Sequence, residues 1–199
     1  MAFTIDSLWT LMTFTVVMTI TPGPNNLLLL SSGLNFGLYR TSRHMLGILS
    51  GVLLQIYITG AGLGALFSLF PEIQLALKLT GSLYMIWLAG RLWRAGELHA
   101  TSTAHPIGFT EALLFQFVNP KAWIMATTVI AAFVPAGQQY VERVVVAGVV
   151  FTSVAVPCIF VWAASGAALR SCIQSAAVML RVNRSMASLS VLTAMLFWL

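Results

Sequence analysis

The chain has 199 residues, of which 59% are hydrophobic and only 8% charged, and its mean hydropathy is +0.92. Soluble domains carry roughly a quarter charged residues, so this composition excludes an ordinary soluble protein. The net charge of +5 does not indicate nucleic-acid binding. In a membrane protein, an excess of arginine is expected in the loops on the cytoplasmic side of the membrane.

The apolar segments predict an all-α polytopic membrane protein. About 20 apolar residues cross a bilayer core, and such stretches occur at about residues 7–30, 45–70, 74–92, 110–134, 144–168 and 182–199. We therefore expect six transmembrane helices that form a single membrane-transporter domain, residues 1–199. The sixth helix is the weakest of these predictions, because Arg181 and Arg184 crowd its start.

The arginines predict the orientation. Seven of them fall in or beside the connections after helices 1, 3 and 5, namely Arg40, Arg43, Arg91, Arg94, Arg170, Arg181 and Arg184. The connections after helices 2 and 4 offer only Arg143. By the positive-inside rule, the arginine-rich side is cytoplasmic and both termini are periplasmic.

The first apolar stretch contains the sequence TITPGPNNLLLL, residues 19–30, which breaks the rules for a continuous membrane helix. Pro22 and Pro24 cannot donate backbone hydrogen bonds, which frees the carbonyls of Met18 and Ile20. Pro24 suits the first position of a second half-helix. The N–H groups of residues 25–27 would then lack partners, and such a helix start attracts anions.

The fourth stretch has its own interruption in FQFVNPKAW, residues 115–123. Pro120 frees the carbonyl of Gln116, and Asn119 precedes the break. Lys121 lies roughly 15 Å into the predicted span, where an unpaired ammonium costs several kcal/mol. We expect a partner or substrate to compensate this charge, because no carboxylate is predicted at the same depth.

Helices 1 and 4 hold corresponding places in two sets of three spans, about residues 1–95 and 105–199. Three spans between equivalent helices invert their orientation, so the pattern predicts two inverted three-helix repeats with broken helices 1 and 4. Transporters of this kind bind substrate near the midplane, at the repeat interface.

Glycines recur at four-residue spacing in Gly33 and Gly37, in Gly47 and Gly51, and in Gly60 and Gly64. This spacing lets helices approach closely. It suits packing within one chain, a sliding contact, or an interface between two copies in a homodimer. Membrane lipid is the expected neighbour of the outer surface.

The two Pro/Asn motifs, with the glycines of helix 2, make the whole chain similar to the LysE/RhtB family of amino-acid exporters, and within it to the cysteine and O-acetylserine exporters. The resemblance implies a bacterial inner-membrane secondary transporter driven by the proton gradient. One departure concerns helix 2, where many members carry an acidic residue near the second glycine and this chain has Val52 to Gln55.

The hypothesis that joins these features is a site for a small zwitterion. The substrate carboxylate would bind Lys121 and the N–H groups of residues 25 and 26, and its ammonium would bind the freed carbonyls. Lys121 would also serve as the proton relay. The candidate substrate-binding residues are Pro22, Gly23, Pro24, Asn25, Asn26, Gln55, Gln116, Asn119, Pro120 and Lys121.

Other functional classes have less support in the sequence. Neither a CxxC nor an HExxH motif occurs, so we expect no metal and no cofactor. We expect no enzyme, because the serines and cysteines of the spans have no His or Asp at comparable depth. A small-anion channel or a structural subunit of a membrane complex stays open as the alternative.

Overall fold

The computed structural model describes residues 3–63, 69–94, 105–172, 175–196 and 198, and within this part the secondary structure is helical throughout. The helices are α1 (Ile5–Ile20), α2 (Pro24–Phe36), α3 (Leu38–Ile58), α4 (Pro71–Arg94), α5 (Phe109–Val118), α6 (Pro120–Phe133), α7 (Tyr140–Cys172) and α8 (Ala176–Leu196). A π-helical turn, Thr59–Leu63, continues α3.

The outer surface is apolar, as in a protein that contacts lipid. Large apolar side chains such as Leu83, Leu114, Ile124 and Val141 are more than half exposed, and apolar patches of this extent mark interaction with a membrane or a partner. Two described helices are long and apolar enough to cross a bilayer, over Leu38–Gly62 and Tyr140–Arg170. The half-helices α1, α5 and α6 are shorter apolar helices.

The helix bounds correct several predicted ends. The first apolar segment continues to Phe36, and Gly37, with φ of 80°, turns the chain directly into α3 at Leu38. The second segment therefore begins at residue 38 rather than 45. Residues 64–68 of the second predicted span, 197 and 199 of the sixth, and the boundary at residue 95 lie outside the described residues.

Glycines bring helix backbones together at two main interfaces, which confirms the packing interpretation for Gly33, Gly47 and Gly51. A Cβ on Gly33 would strike the carbonyl of Ala163 in α7, and one on Gly166 of α7 would strike α2. Gly47 and Gly51 of α3 lie in the same way against α5. Gly37 differs, because its role is the positive φ at the α2–α3 turn. Gly64 lies outside the described residues.

Two apolar clusters surround the centre of the bundle. The larger joins α1, α2, α3, α5, α6 and α7 through side chains that include Leu29, Ile56 and Phe151. The smaller fixes α4 and α8 to α2 and α5 through Met85, Phe115 and others. Both broken helices therefore pass through the packed interior, where an unpaired backbone group is costly.

Candidate functional site

The first broken helix has a gap of three residues, Thr21 to Gly23, between α1 and α2. We call this gap the first junction. Pro24 occupies the first position of α2, as the sequence predicted, and Gly23 is the N-cap residue. Thr21 and Pro22 are exposed, whereas Gly23 and Pro24 are buried. The junction thus presents the carboxyl end of one half-helix next to the amino end of another.

The second broken helix has a gap of a single residue, Asn119, between α5 and α6. We call it the second junction. The Asn119 side chain caps α6 by accepting a hydrogen bond from the backbone N–H of Lys121, at 3.1 Å. Pro120 is buried at the first position of α6, where its missing N–H costs nothing. Both sequence-predicted breaks are therefore confirmed.

The Lys121 side chain runs from the second junction to the first. Its Nζ donates to the Thr21 carbonyl at 3.1 Å, to Thr21 Oγ1 at 2.9 Å and to the Pro22 carbonyl at 3.4 Å. No carboxylate among the described residues pairs with it. The predicted compensation of this charge comes instead from the carboxyl end of α1, where helix carbonyls carry partial negative charge.

A cavity opens beside Lys121, between the two junctions and helices α3 and α7. Six of the ten candidate residues line it, namely Gly23, Pro24, Asn25, Asn26, Asn119 and Lys121. The rest of the lining is mostly apolar and includes Val52, Met125, Phe151 and Ala155. A small ligand with both charged and apolar parts suits such a surface.

Two candidate glutamines lie behind the cavity and hold the junctions together. Gln116 and Asn25 exchange side-chain amide hydrogen bonds of 2.8 and 3.1 Å, and the Gln116 amide also donates to the Ala112 carbonyl at 2.8 Å. Gln55 donates to the Gln116 backbone carbonyl at 2.9 Å. Both glutamines are fully buried. They therefore position Asn25 and the second junction rather than contact the cavity directly.

The three carbonyls expected to bind a substrate ammonium are freed from their helices, and each accepts a hydrogen bond from a side chain of the protein, so their binding of a substrate stays a prediction. The Met18 carbonyl accepts from Thr21 Oγ1 at 3.0 Å, and the Ile20 carbonyl accepts from Trp162 Nε1 at 3.2 Å. The third, on Gln116, accepts from Gln55. The hydrogen-bonding needs of the broken backbone are thus met largely by distant side chains.

The start of α2 also differs in part from the prediction. The N–H of Leu27 bonds to the carbonyl of Gly23 at 3.1 Å, because the N-cap carbonyl already accepts the first helical hydrogen bond. The N–H groups of Asn25 and Asn26 donate to no atom of the described residues. The Asn26 side chain donates to the carbonyls of Thr19 and Thr21, at 2.7 and 2.8 Å.

Sequence reasoning missed three threonines. Thr21 supplies two of the three acceptors for Lys121, and Thr19 and Thr152 line the cavity. Thr21 precedes the first proline of the motif, so its position in the break was a signal that could have identified it. Nothing in the local sequence distinguishes Thr19 or Thr152 from the other threonines of the apolar helices.

An apolar helical bundle with two broken helices around a cavity lined by a lysine is typical of membrane transport proteins. The chain belongs to the LysE type translocator family, whose sequence profile matches residues 16–199. It is therefore a transporter and not an enzyme.

Curated relatives agree with this class. The chain is 34% identical over 123 residues to the cysteine/O-acetylserine efflux protein of Klebsiella pneumoniae, covering 62% of this chain and 63% of that protein, which is less than two thirds of its length. It is 29% identical over 154 residues to the cysteine/O-acetylserine efflux protein of Escherichia coli K12, covering 77% and 79%. An uncharacterized membrane protein of Vibrio cholerae is 26% identical over 87% of each chain. No solved structure matches the chain.

Proposed function

We propose that this protein exports small amino acids or their derivatives, with cysteine and O-acetylserine as the first candidates, across the bacterial inner membrane. The observation that carries the proposal is Lys121, which lines a cavity between two broken helices and has no carboxylate partner among the described residues. Relatives named as cysteine/O-acetylserine efflux proteins support the substrate class.

The substrate carboxylate binds between Lys121 and the free N–H groups of Asn25 and Asn26. Both partners favour an anion, because one carries a full positive charge and the other lies at the amino end of α2. The largely apolar remainder of the cavity accommodates a small uncharged side chain. Nothing charged besides Lys121 lines the cavity among the described residues, so a charged side chain on the substrate would remain uncompensated.

Transport proceeds by alternating access between two inverted three-helix halves. The packing supports this arrangement, because α3 of the first half lies against α5 of the second, and α7 of the second half lies against α1 and α2 of the first. The corresponding helices α3 and α7 pack together, as do α4 and α8. The cavity lies where the two halves meet, as expected of a midplane site.

The experiment that tests the proposal is uptake into proteoliposomes. A panel of labelled amino acids, including cysteine and O-acetylserine, is offered with and without a pH gradient to wild type, Lys121→Ala and Lys78→Ala. Lys78 is the matched control, because it lies in α4 away from the cavity. We expect saturable uptake, accelerated by the gradient, in wild type and Lys78→Ala and no uptake in Lys121→Ala.

Each arm of this experiment can contradict one part of the proposal. Equal uptake by wild type and Lys121→Ala would make the lysine structural. A rate indifferent to the pH gradient would exclude proton coupling, including a proton relay at Lys121. Flux that does not saturate and shows no counterflow would indicate a channel, and a protein inert by itself would indicate a subunit of a larger complex.

The orientation has its own test. We propose that the arginine-rich side is cytoplasmic and that both termini are periplasmic. In a variant without its native cysteines, Gln138→Cys, in the exposed turn before α7, should react with a membrane-impermeant maleimide in intact cells. Ser42→Cys, close to Arg40 and Arg43, should react only after permeabilisation. The opposite pattern would reverse the topology.

A further inference from the structure

The three oxygens that hold the Lys121 ammonium form a site suited to any primary ammonium group. An ammonium has three N–H donors and no acceptor, and the carbonyls of Thr21 and Pro22 with Thr21 Oγ1 offer three acceptors within 3.4 Å of Nζ. These oxygens follow the last turn of α1, where partial negative charge accumulates. We call them the Thr21–Pro22 cradle.

The cradle differs from the other carbonyls at this break in the kind of group that fills it. The carbonyl of Met18 accepts from the Thr21 hydroxyl three residues away, and that of Ile20 accepts from the ring N–H of Trp162. All three cradle oxygens accept from the end of the Lys121 side chain, which can leave without moving the backbone. The Thr21 carbonyl also accepts from the Asn26 side-chain amide at 2.8 Å. The cradle is therefore the acceptor set that a ligand can gain most easily.

Gly23 lies in close contact with the Lys121 side chain. A Cβ built on Gly23 would lie 3.1 Å from both Cδ and Nζ of Lys121, so the lysine stem passes directly over this residue. Gly23 separates the two ends of the broken helix. The cradle lies before it, and the free N–H groups of Asn25 and Asn26 lie after it. An ammonium above Gly23 can therefore turn from the acceptor end toward an anion bound at the donor end.

We propose that the Thr21–Pro22 cradle is the subsite for the primary ammonium of the transported molecule, and that substrate displaces Lys121 from it. This inference rests on the proposed function. The displaced lysine then pairs with the substrate carboxylate at the start of α2. One cation occupies the cradle before and after the exchange, and the zwitterion adds no net charge.

The exchange also defines what the site rejects. An amine without a carboxylate would fill the cradle but leave Lys121 in the cavity without a counter-charge, which is strongly unfavourable. A carboxylate without an amine would leave the cradle empty if Lys121 followed the anion. The site thus recognises ammonium and carboxylate on one small molecule through the exchange of a single side chain.

The test uses propylammonium, an amine without a carboxylate, whose binding to the purified full chain in detergent is measured by calorimetry. We expect it to bind Lys121→Ala at least about tenfold more tightly than wild type, because no lysine competes for the cradle in the variant. In the Lys121→Ala background, Thr21→Val should weaken binding by about tenfold, whereas Thr21→Ser should restore it. Thr13→Val, on the exposed face of α1, is the matched control and should have no effect.

Two results would overturn the subsite. The first is equal affinity of propylammonium for wild type and Lys121→Ala. The second is unchanged affinity for propylammonium when Thr21→Val is added to Lys121→Ala. Lys121→Met, which retains most of the stem, repeats the comparison if the alanine variant does not fold. If neither folds, Thr21→Val in the native chain must weaken binding of the transported amino acid relative to Thr13→Val, and unchanged binding refutes the subsite.

The readouts keep the two proposals apart. Propylammonium binding to Lys121→Ala requires only the cradle, whereas amino-acid uptake by wild-type proteoliposomes requires only the proposed function. Uptake without propylammonium binding would reject the subsite and retain the transporter. Propylammonium binding without uptake of any amino acid would retain the subsite and reject the proposed substrate class.

Discussion

The two junctions interrupt their helices with similar residues but have opposite surroundings. The first junction leaves Thr21 and Pro22 exposed, next to Gly23, which lines the cavity. The second is packed on two sides by glycines. A Cβ on Gly51 of α3 would lie 2.6 Å from Gln116 Cγ, and one on Gly81 of α4 would strike the carbonyl of Val118. The same interruption is thus open in one place and enclosed in the other.

This difference indicates that the two junctions have different roles. The second junction is capped by Asn119 and enclosed by neighbouring helices, so it holds the base of Lys121 in a fixed position. The first junction offers the acceptors and donors that the lysine and a ligand can share. A rigid element that carries the charge beside a more open element that carries the ligand groups is an effective arrangement for a binding site.

The largest effect is expected where the second junction is most tightly enclosed. In Gly81→Val the new Cβ would meet the Val118 carbonyl and lie 3.1 Å from Pro120 Cδ. Backbone cannot yield as a side chain can, so we expect a loss of about 3 kcal/mol or failure to fold. Gly90→Val is the matched control in the same helix, because a Cβ there meets no atom within 4 Å.

Size-exclusion chromatography and thermal unfolding in detergent measure this difference. We expect Gly90→Val to elute and unfold like wild type while Gly81→Val is depleted or melts much earlier. Equal behaviour of the two variants would show that α4 does not enclose the second junction, and the contrast between the junctions would disappear.

The next effect concerns the link between the junctions. Gln116→Leu removes the amide exchange with Asn25 and the hydrogen bond to the Ala112 carbonyl, and it leaves the half-buried Asn25 amide without its partner. Hydrogen bonds between membrane helices contribute modestly, so we expect a loss of about 2 kcal/mol in the free energy of unfolding. Denaturant titration in micelles measures it, with exposed Gln138→Leu as control. A loss of stability no larger than that of the control would show that the hydrogen bonds between the two junctions do not stabilise the fold.

A smaller effect is expected at the cap of the second junction. Asn119→Ala deletes the acceptor for the Lys121 N–H, and loss of such a cap costs about 1 kcal/mol. Asn119→Ser should recover most of this, because serine also caps helices well. Thr4→Ala removes the equivalent cap from the exposed start of α1. If the buried cap cost less than the exposed one, enclosure would not be what stabilises the second junction.

The local sequence was sufficient to predict where the helices break. Proline chemistry located both junctions, placed Pro24 at the start of α2, and identified Lys121 as the charge that needs a partner. These features depend on a few neighbouring residues. The family profile over residues 16–199 likewise agrees with the resemblance carried by the two Pro/Asn motifs.

What the sequence could not predict depends on residues far apart in the chain. Trp162 donates to a carbonyl 142 positions away, and Gln55 to one 61 positions away, so the availability of those carbonyls is a property of the whole fold. The enclosure of the second junction by Gly81 was also missed, because that glycine belongs to none of the four-residue repeats. The roles of the ten candidate residues in substrate binding stay predictions.

The smallest effect on stability, and the sharpest comparison, is expected for Gly23→Ala at the first junction. Gly23 has φ of −177°, an extended conformation that alanine adopts without strain. The new Cβ would lie 3.1 Å from Cδ and Nζ of Lys121, and these atoms are the flexible end of a side chain that can move aside. Alanine is a poorer N-cap than glycine, so we expect the free energy of unfolding to fall by less than about 1 kcal/mol.

Uptake should nevertheless fall in Gly23→Ala, with a higher KM, because the methyl group occupies the path by which the lysine turns from the Thr21–Pro22 cradle toward the start of α2. Denaturant titration and uptake kinetics on the same preparation distinguish the two effects. A loss of stability as large as that of Gly81→Val would mean that the first junction is as rigid as the second. Nearly unchanged stability with impaired uptake is the result that an open, ligand-sharing junction requires.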